Sequence, residues 1–277
     1  MTFPLQDGVA VVTGAASGIG AALAGALAAR SCNLALADVN GAGLAAVAEA
    51  ARARGVTVSE HRLDVADAGA VAALPEAVLA AHGRVNLLVN NAGVALGGTF
   101  EQTPEADFDW LLEINFGGVV RMTRAFLPVL RREKTAQIVN LSSLFGIVAP
   151  PGQVAYAASK FAVRGFSEAL RHELEGSPVG VTVVHPGGVR TAIAANARRT
   201  GLTDAETEKQ ARAWSRLLRL DPAVAAETIL RAVERRDGRV LVGGDARQAA
   251  LVQRLFPVGY WRILGRGIAR RAGKPGA

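Results

Sequence analysis

The chain has 277 residues, half of them apolar and a fifth charged, the composition of a globular protein with a sizeable core. A single cysteine, Cys32, excludes an internal disulfide framework and suits a reducing cytoplasm, and His61, His82, His172 and His185 show no metal-ligand spacing. The net charge of +7 is uneven: residues 245–277 hold seven Arg and Lys against one Asp, a balance of +6, so the high pI belongs to a tail and gives the main domain no nucleic-acid signature.

Along the chain, short apolar runs alternate with Ala-rich segments of helical period. Strands are predicted at 9–13, 33–38, 58–64, 86–90, 137–142, 181–185 and 239–243. Helices are predicted near 18–30, 41–54, 67–82, 104–131, 153–176, 203–218 and 222–236. This order predicts an α/β fold, a Rossmann-type doubly wound parallel sheet of about seven strands with helices on both faces. The expected organisation is one domain over 1–245, with a lid at about 192–220, and a basic amphipathic C-terminal extension over 246–277. Two uncharged runs, 8–29 and 135–159, contain TGAASGIG and NLSS with PP, unsuited to a lipid-facing helix, and MTFPLQDG lacks a basic n-region. A cytoplasmic location is the expectation.

The first strand runs into TGAASGIG (13–20), which puts Gly14, Gly18 and Gly20 where backbone must approach a pyrophosphate at a helix N-terminus. Asp38 ends the second strand, placed to accept hydrogen bonds from ribose hydroxyls and to repel a 2′-phosphate. No Arg or Lys beside it offsets that repulsion, so NAD is preferred over NADP. Asp38 is equally placed to cap the helix beginning near residue 41.

Further motifs follow in order: LDV (63–65), NNAG (90–93), Asn115, VNLSS (139–143), YAASK (156–160) and PGGVRT (186–191). In that order and spacing, over roughly residues 6–245, the chain resembles the short-chain dehydrogenase/reductase family. The resemblance implies catalytic roles for Asn115, Ser143, Tyr156 and Lys160, with Ser143 chosen over Ser142 by the family's thirteen-residue spacing to the tyrosine. It implies cofactor contacts from Thr13, Gly14, Ser17, Gly18, Ile19, Gly20, Asp38, Asp64 and Val65. Asn91, Ala92, Gly93, Tyr156, Lys160, Pro186, Val189 and Thr191 complete that set, with no metal. Asn115 is implied to hold a water linking Lys160 to solvent. The family often has an aromatic residue or isoleucine after PG; Gly188 here is expected to leave that part of the cleft less filled.

Interconverting an alcohol and a ketone by hydride transfer requires a proton moved at the oxygen, and free tyrosine, with a pKa of about 10, is a weak base near neutrality. The Lys160 ammonium and a nicotinamide positive charge are expected to lower the Tyr156 pKa. Ser143 is placed to polarise the carbonyl.

Nearly uncharged loops after strands four and five predict a substrate pocket built from Leu96, Leu144, Phe145 and Val154, with Ile193 and Trp214 of the lid closing over it. The expected substrate is a bulky, mostly apolar secondary alcohol or ketone, steroid-, terpenoid-, aryl- or lipid-like. Arg190, Arg198 and Arg199 are read as solvated rather than substrate-binding. In the tail, Leu251, Leu255, Trp261, Ile263 and Leu264 alternate with arginines, read first as an arm over the cleft or a subunit surface. Peripheral contact with anionic membrane is the second reading. The two long helices match the family's dimer-forming face and imply a homodimer or homotetramer. A non-catalytic nucleotide sensor or membrane-associated binding protein on the same fold is the alternative function.

Overall fold

The computed structural model describes residues 2–199, 212, 215 and 217–271, with side chains to 265. The first half runs β1 (Val9–Thr13), α1 (Gly18–Ala28), β2 (Asn33–Asp38), α2 (Gly41–Arg52), β3 (Val58–Arg62), α3 (Ala68–His82) and β4 (Leu87–Asn90). After a two-residue β5 (Leu96–Gly97) come α4 (Glu105–Leu112), a π-helical turn (Glu113–Gly117) and α5 (Gly118–Leu130). Then follow β6 (Ala136–Leu141), a 3₁₀ turn (Leu144–Gly146), α6 (Val154–Glu173) and β7 (Val179–Pro186). The remainder is β8 (Arg198–Arg199), α7 (Pro222–Glu234), β9 (Arg239–Val242), α8 (Gly244–Leu255) and α9 (Tyr260–Arg271).

Seven strands form one parallel sheet in the order β3-β2-β1-β4-β6-β7-β9, and β5 pairs with β8 in a separate two-stranded ribbon. The main sheet is the predicted Rossmann arrangement. The predicted helix near 203–218 lies largely outside the described residues. The ribbon was not predicted, because two-residue strands leave no periodicity to read.

Helix starts follow local chemistry. Asn40 caps α2 by accepting from the Gly43 N–H, Asp67 caps α3 at Ala70, and Asp221 caps α7 at Ala223 with Pro222 in the first turn. Gly83 ends α3 in the left-handed conformation at φ 74°.

Strand alternation divides the core between the two faces of the sheet. Ala10 and Val12 of β1 join Leu23, Leu27, Leu44 and Ile229 on one face. Val9 and Val11 join Met122, Phe126 and Leu170 on the other. The central strands also carry buried amides: Asn90 donates to Asn140 at 2.8 Å, and Asn140 donates to Ser167 of α6 at 2.9 Å. These bonds fix the register of α6 against β4 and β6, and so the height at which α6 presents its side chains.

The strand order reverses between β1 and β4, which opens a crevice at the carboxyl ends of those strands. Among the described residues, no helix is long and apolar enough to cross a membrane. Phe126 is fully buried beneath this sheet. Phe126→Ala is expected to lower unfolding free energy by about 3–5 kcal/mol, read from urea midpoints by circular dichroism; a loss too small to resolve would show that α5 does not anchor the core.

Candidate active site

A cavity of about 680 Å³ opens at the carboxyl ends of the strands. Ser143, Tyr156 and Lys160 line one side of it. Each is delivered by a different local constraint. Ser143 begins the 3₁₀ turn after β6, and its hydroxyl accepts from the Phe145 N–H at 3.1 Å. Tyr156 and Lys160 sit one turn apart on α6, facing inward. Ser142 fixes the helix to the end of β6 by donating to the Lys160 carbonyl at 2.8 Å, while Ser159, within the helix, donates to the Tyr156 carbonyl at 2.7 Å.

Tyr156 bonds the Ser143 hydroxyl and packs edge-on against Phe145, with ring centroids 6.1 Å apart. Its half-buried ring opens to the cavity yet lies deep in the protein, and removal from bulk water pushes the phenol above its ordinary pKa. The Ser143 bond opposes that shift in part. Lys160 is only 4% exposed, and burial pushes it down to about 8. Its Nζ donates to the Leu141 carbonyl at 3.0 Å and lies 5.7 Å from the Tyr156 ring centroid. Burial therefore sets the direction of the Tyr156 shift in the protein alone, upward where the sequence led us to expect a lowering.

Asn115 is brought close to this group by the π-helical turn, an interruption of the helix ladder that often marks a functional position. Its carboxamide is engaged with the protein: Oδ1 accepts from the Val94 N–H at 2.8 Å, and Nδ2 donates to the Val94 carbonyl at 3.0 Å and to Ser159 at 3.2 Å. It braces the loop after β4 against α6 and does not line the cavity.

The Gly-rich loop is shaped for a close approach. Gly14 and Gly18 have φ of 65° and 56°, and a methyl on Gly20 would run into the Gly14 carbonyl and the Asn91 amide. Ser17 precedes α1 with no side-chain capping bond, which leaves its hydroxyl and the first-turn N–H groups available to an anion. Asp38 does not cap α2; its Oδ2 accepts from Ala16 at 2.9 Å and its Oδ1 from Asn40 at 2.9 Å, holding the loop to the end of β2. Thr13 is buried behind the loop, accepting from Asn91 and Ala92 at 3.0 and 3.1 Å. Asp64 bonds the Ala66 N–H at 2.9 Å and remains exposed, while Val65 is buried against Gly118.

Ile19, Asn91, Gly93, Pro186, Val189 and Thr191 reach the cavity, as do Leu96, Leu144, Phe145 and Ile193. Two predicted pocket residues differ. Val154 is 46% exposed and does not line the cavity, because it lies two positions from Tyr156 on α6 and points away from that face. Trp214 lies outside the described residues. Gly188 also departs from expectation: a methyl there would meet the Leu217 carbonyl, so main chain fills the space. The Gly188 carbonyl accepts from Arg219 and Leu220, and Arg190 donates back to Leu220, which ties together the two ends of segment 191–217. Of the three arginines in question, Arg190 pairs with Asp221 and Arg198 with Asp107, while Arg199 lines the cavity.

Two residues escaped sequence reasoning. His185 is fully buried at the end of β7, and its Nδ1 bonds the Ser143 carbonyl at 2.9 Å. Burial pushes it down to about 4, so near neutrality it is the uncharged ring donating from Nδ1. Asp245 accepts from the Gly188 N–H at 2.7 Å, locking the loop that follows β7 to the start of α8. The only sequence signal for either was a polar residue at the end of an apolar run. In the tail, Trp261, Ile263 and Leu264 line the cavity, whereas Leu251 and Leu255 face outward.

Comparison with known proteins agrees with this architecture. The short chain dehydrogenase family profile matches residues 8–201. Over 265 residues, covering 95% of each chain, the protein is 44% identical to the Mycobacterium tuberculosis protein named as oxidoreductase SadH. It is 32% identical to dehydrogenase/reductase SDR family member 7B of Bos taurus, over 94% of this chain and 81% of that one. A Burkholderia phymatum short-chain dehydrogenase/reductase in complex with NAD superposes with a TM-score of 0.85 at 32% identity, covering 91% of this chain and 95% of that chain. A metagenomic short-chain oxidoreductase in complex with NADP gives 0.71 at 32% identity, over 87% and 98%. With its sheet, its Gly-rich crevice and this agreement over most of its length, the chain belongs to the short-chain dehydrogenase/reductase family of NAD(P)-binding, Rossmann-fold oxidoreductases.

Proposed function

We propose that the protein interconverts a bulky, mostly apolar secondary alcohol and its ketone with NAD as hydride partner and Tyr156 as acid/base. One observation carries this proposal: Ser143, Tyr156 and Lys160 converge on a cavity whose remaining wall includes Leu96, Val148, Leu217, Leu218, Trp261 and Leu264. Such a wall desolvates an apolar ligand and offers it few polar partners.

The residues fit a bound dinucleotide. The close approach at Gly20, the uncommitted Ser17 hydroxyl and the α1 N-terminus suit a pyrophosphate. Asp38, with neutral Val39 and Asn40 beside it, suits a free ribose hydroxyl better than a 2′-phosphate, which favours NAD. A nicotinamide dinucleotide supplies the hydride acceptor or donor. Ser143 donates a hydrogen bond to the substrate oxygen, orienting it and stabilising negative charge there. In oxidation the Tyr156 phenolate takes the hydroxyl proton as hydride leaves the carbinol carbon; in reduction the phenol returns it. Lys160 in its ammonium form favours the phenolate. Asn115 and His185 position α6 and the Ser143 turn. The face carrying α5 and α6, with Phe161 exposed on it, is the surface proposed for homo-oligomer formation.

Absorbance of reduced nicotinamide across a panel of alcohols and ketones, with NAD and NADP in parallel, tests the assignment. Apolar secondary alcohols are expected to turn over with NAD, and Tyr156→Phe to lose about 10²–10⁴-fold in kcat. Faster turnover of small polyols would overturn the substrate class, and activity retained by the phenylalanine variant would overturn the acid/base role. Oxidation should rise with pH and reduction should fall, because the first needs phenolate and the second phenol.

Lys160 makes a second prediction. Its pKa falls from 10.5 to about 8 on folding, so the unfolded chain binds more protons across that window and stability rises with pH through it. Below pH 8 the ammonium destabilises the fold in full. Lys160→Met is therefore expected to abolish turnover yet raise stability at pH 7 by about 1–3 kcal/mol, a gain that shrinks toward pH 10. Urea midpoints at the two pH values decide it; a variant less stable at pH 7 contradicts the burial argument.

For His185, Leu and Asn substitutions separate roles. His185→Leu removes the bond to the Ser143 carbonyl and is expected to lower kcat about ten-fold with KM little changed. His185→Asn keeps a donor and should recover most of that loss; equal losses in both would assign the histidine to packing alone.

A further inference from the structure

The outer face of the C-terminal hairpin is unlike the rest of the surface. Helices α8 and α9 are held inward by Ala249, Tyr260 and Leu264, packed with Leu144, Ile147 and Val148. The Tyr260 hydroxyl accepts from the Ala149 N–H at 3.0 Å, fastening the base of α9. Facing outward, Leu251 is 57% exposed, Leu255 63%, Phe256 51% and Val258 94%. Leu251 and Leu255 stand one turn apart on α8, and Phe256 and Val258 continue the apolar surface into the turn between the helices.

Arginines flank this tip. Arg247 and Arg254 share the outer face of α8, Arg262 is exposed in the first turn of α9, and none has an ion-pair partner among the described residues. Residues 246–277 contain six Arg and one Lys and no Asp or Glu. An occupant of this surface must therefore supply negative charge around an apolar interior. A second copy docking the same face would set like charges against each other. A nucleic acid would reward the arginines but not the exposed leucines, phenylalanine and valine. A bilayer rich in anionic lipid meets both requirements, with phosphates at the level of the arginines and acyl chains beneath them.

We propose that the α8–α9 hairpin docks on anionic membrane, inserting Leu255, Phe256 and Val258 at the headgroup–acyl boundary while Arg247, Arg254 and Arg262 bind lipid phosphates. Because Trp261, Ile263 and Leu264 of α9 line the cavity, docking brings that cavity wall to the membrane surface. This consequence for substrate access rests on the apolar-substrate proposal; the docking does not.

Flotation of the full-length protein with vesicles tests it, and the readout is independent of turnover. Binding is expected to phosphatidylcholine vesicles containing phosphatidylglycerol, to be weak with phosphatidylcholine alone, and to fall as salt rises. The triple change Arg247→Gln, Arg254→Gln and Arg262→Gln should weaken binding about 100-fold, at roughly five-fold per charge. Val258→Glu should weaken it about ten-fold, with melting followed by circular dichroism unchanged. Equal binding to neutral vesicles, or undiminished binding by both variants, would overturn the proposal. So would loss of homo-oligomer in sedimentation of either variant, which would assign the face to a second copy, or tighter binding to duplex DNA than to vesicles. The salt and lipid dependence of the unmodified protein keeps the test decisive if a variant misfolds.

Discussion

The site depends on a clamp between the ends of β1 and β4. Thr13 donates to the Val89 carbonyl at 3.3 Å and accepts from the Asn91 and Ala92 N–H groups. Asn91 returns two bonds from its amide to the carbonyls of Thr13 and Gly14, each at 3.0 Å. Neighbouring parallel strands must diverge here, because one continues toward α1 and the other toward the β5 ribbon. Without these reciprocal bonds, several polar backbone groups at the divergence would be buried and unpaired. The clamp resolves that problem with side chains and thereby fixes the Gly-rich loop on one side of the crevice and Gly93 on the other. Gly93 in turn leaves room for Asn115, whose Oδ1 would lie 3.1 Å from a methyl at that position.

Set against that rigid seam is a deliberate electrostatic conflict. A lysine and a tyrosine on one face of α6 are both withdrawn from water, and burial disfavours the charged form of each. The protein relieves this only in part, by one carbonyl for Lys160 and one hydroxyl for Tyr156. A fold optimised for stability alone would place apolar side chains here. Retaining the pair suits the proton transfer proposed for Tyr156, since groups already desolvated on a helix held by Ser142 need little reorganisation.

Much of this was legible in the sequence, and for identifiable reasons. Buried parallel strands such as VAVVT and NLALAD announce themselves as unbroken apolar runs, and their observed limits coincide with the predicted ones. The glycines of the first loop follow from backbone requirements that act within a few residues, whereas the cap of α2 that Asp38 seemed equally placed to supply is made by Asn40. What was not legible depends on contacts distant in sequence. The two ribbon strands meet across about a hundred residues, Leu96 beside Arg198. Gly188 looked like missing bulk, although the main chain of Leu217 occupies its place. Val154 was misassigned to the pocket because an apolar residue beside a site tyrosine says nothing about which way the helix turns it.

Asp245 joins these strands of reasoning. Its carboxylate sits so close to Gly187 that no side chain fits there, and it accepts the Gly188 N–H while also bonding Ala246 at the start of α8. The loop after β7 also supplies Pro186, Val189 and Thr191 to the cavity, and α8 leads through a short turn into Trp261 and Leu264 on its far wall. One half-buried carboxylate therefore joins the loop after β7 to the helices that enclose the apolar space. The Asp245 carboxylate thus accepts two backbone N–H groups, those of Gly188 and Ala246, at the start of a segment otherwise rich in arginine.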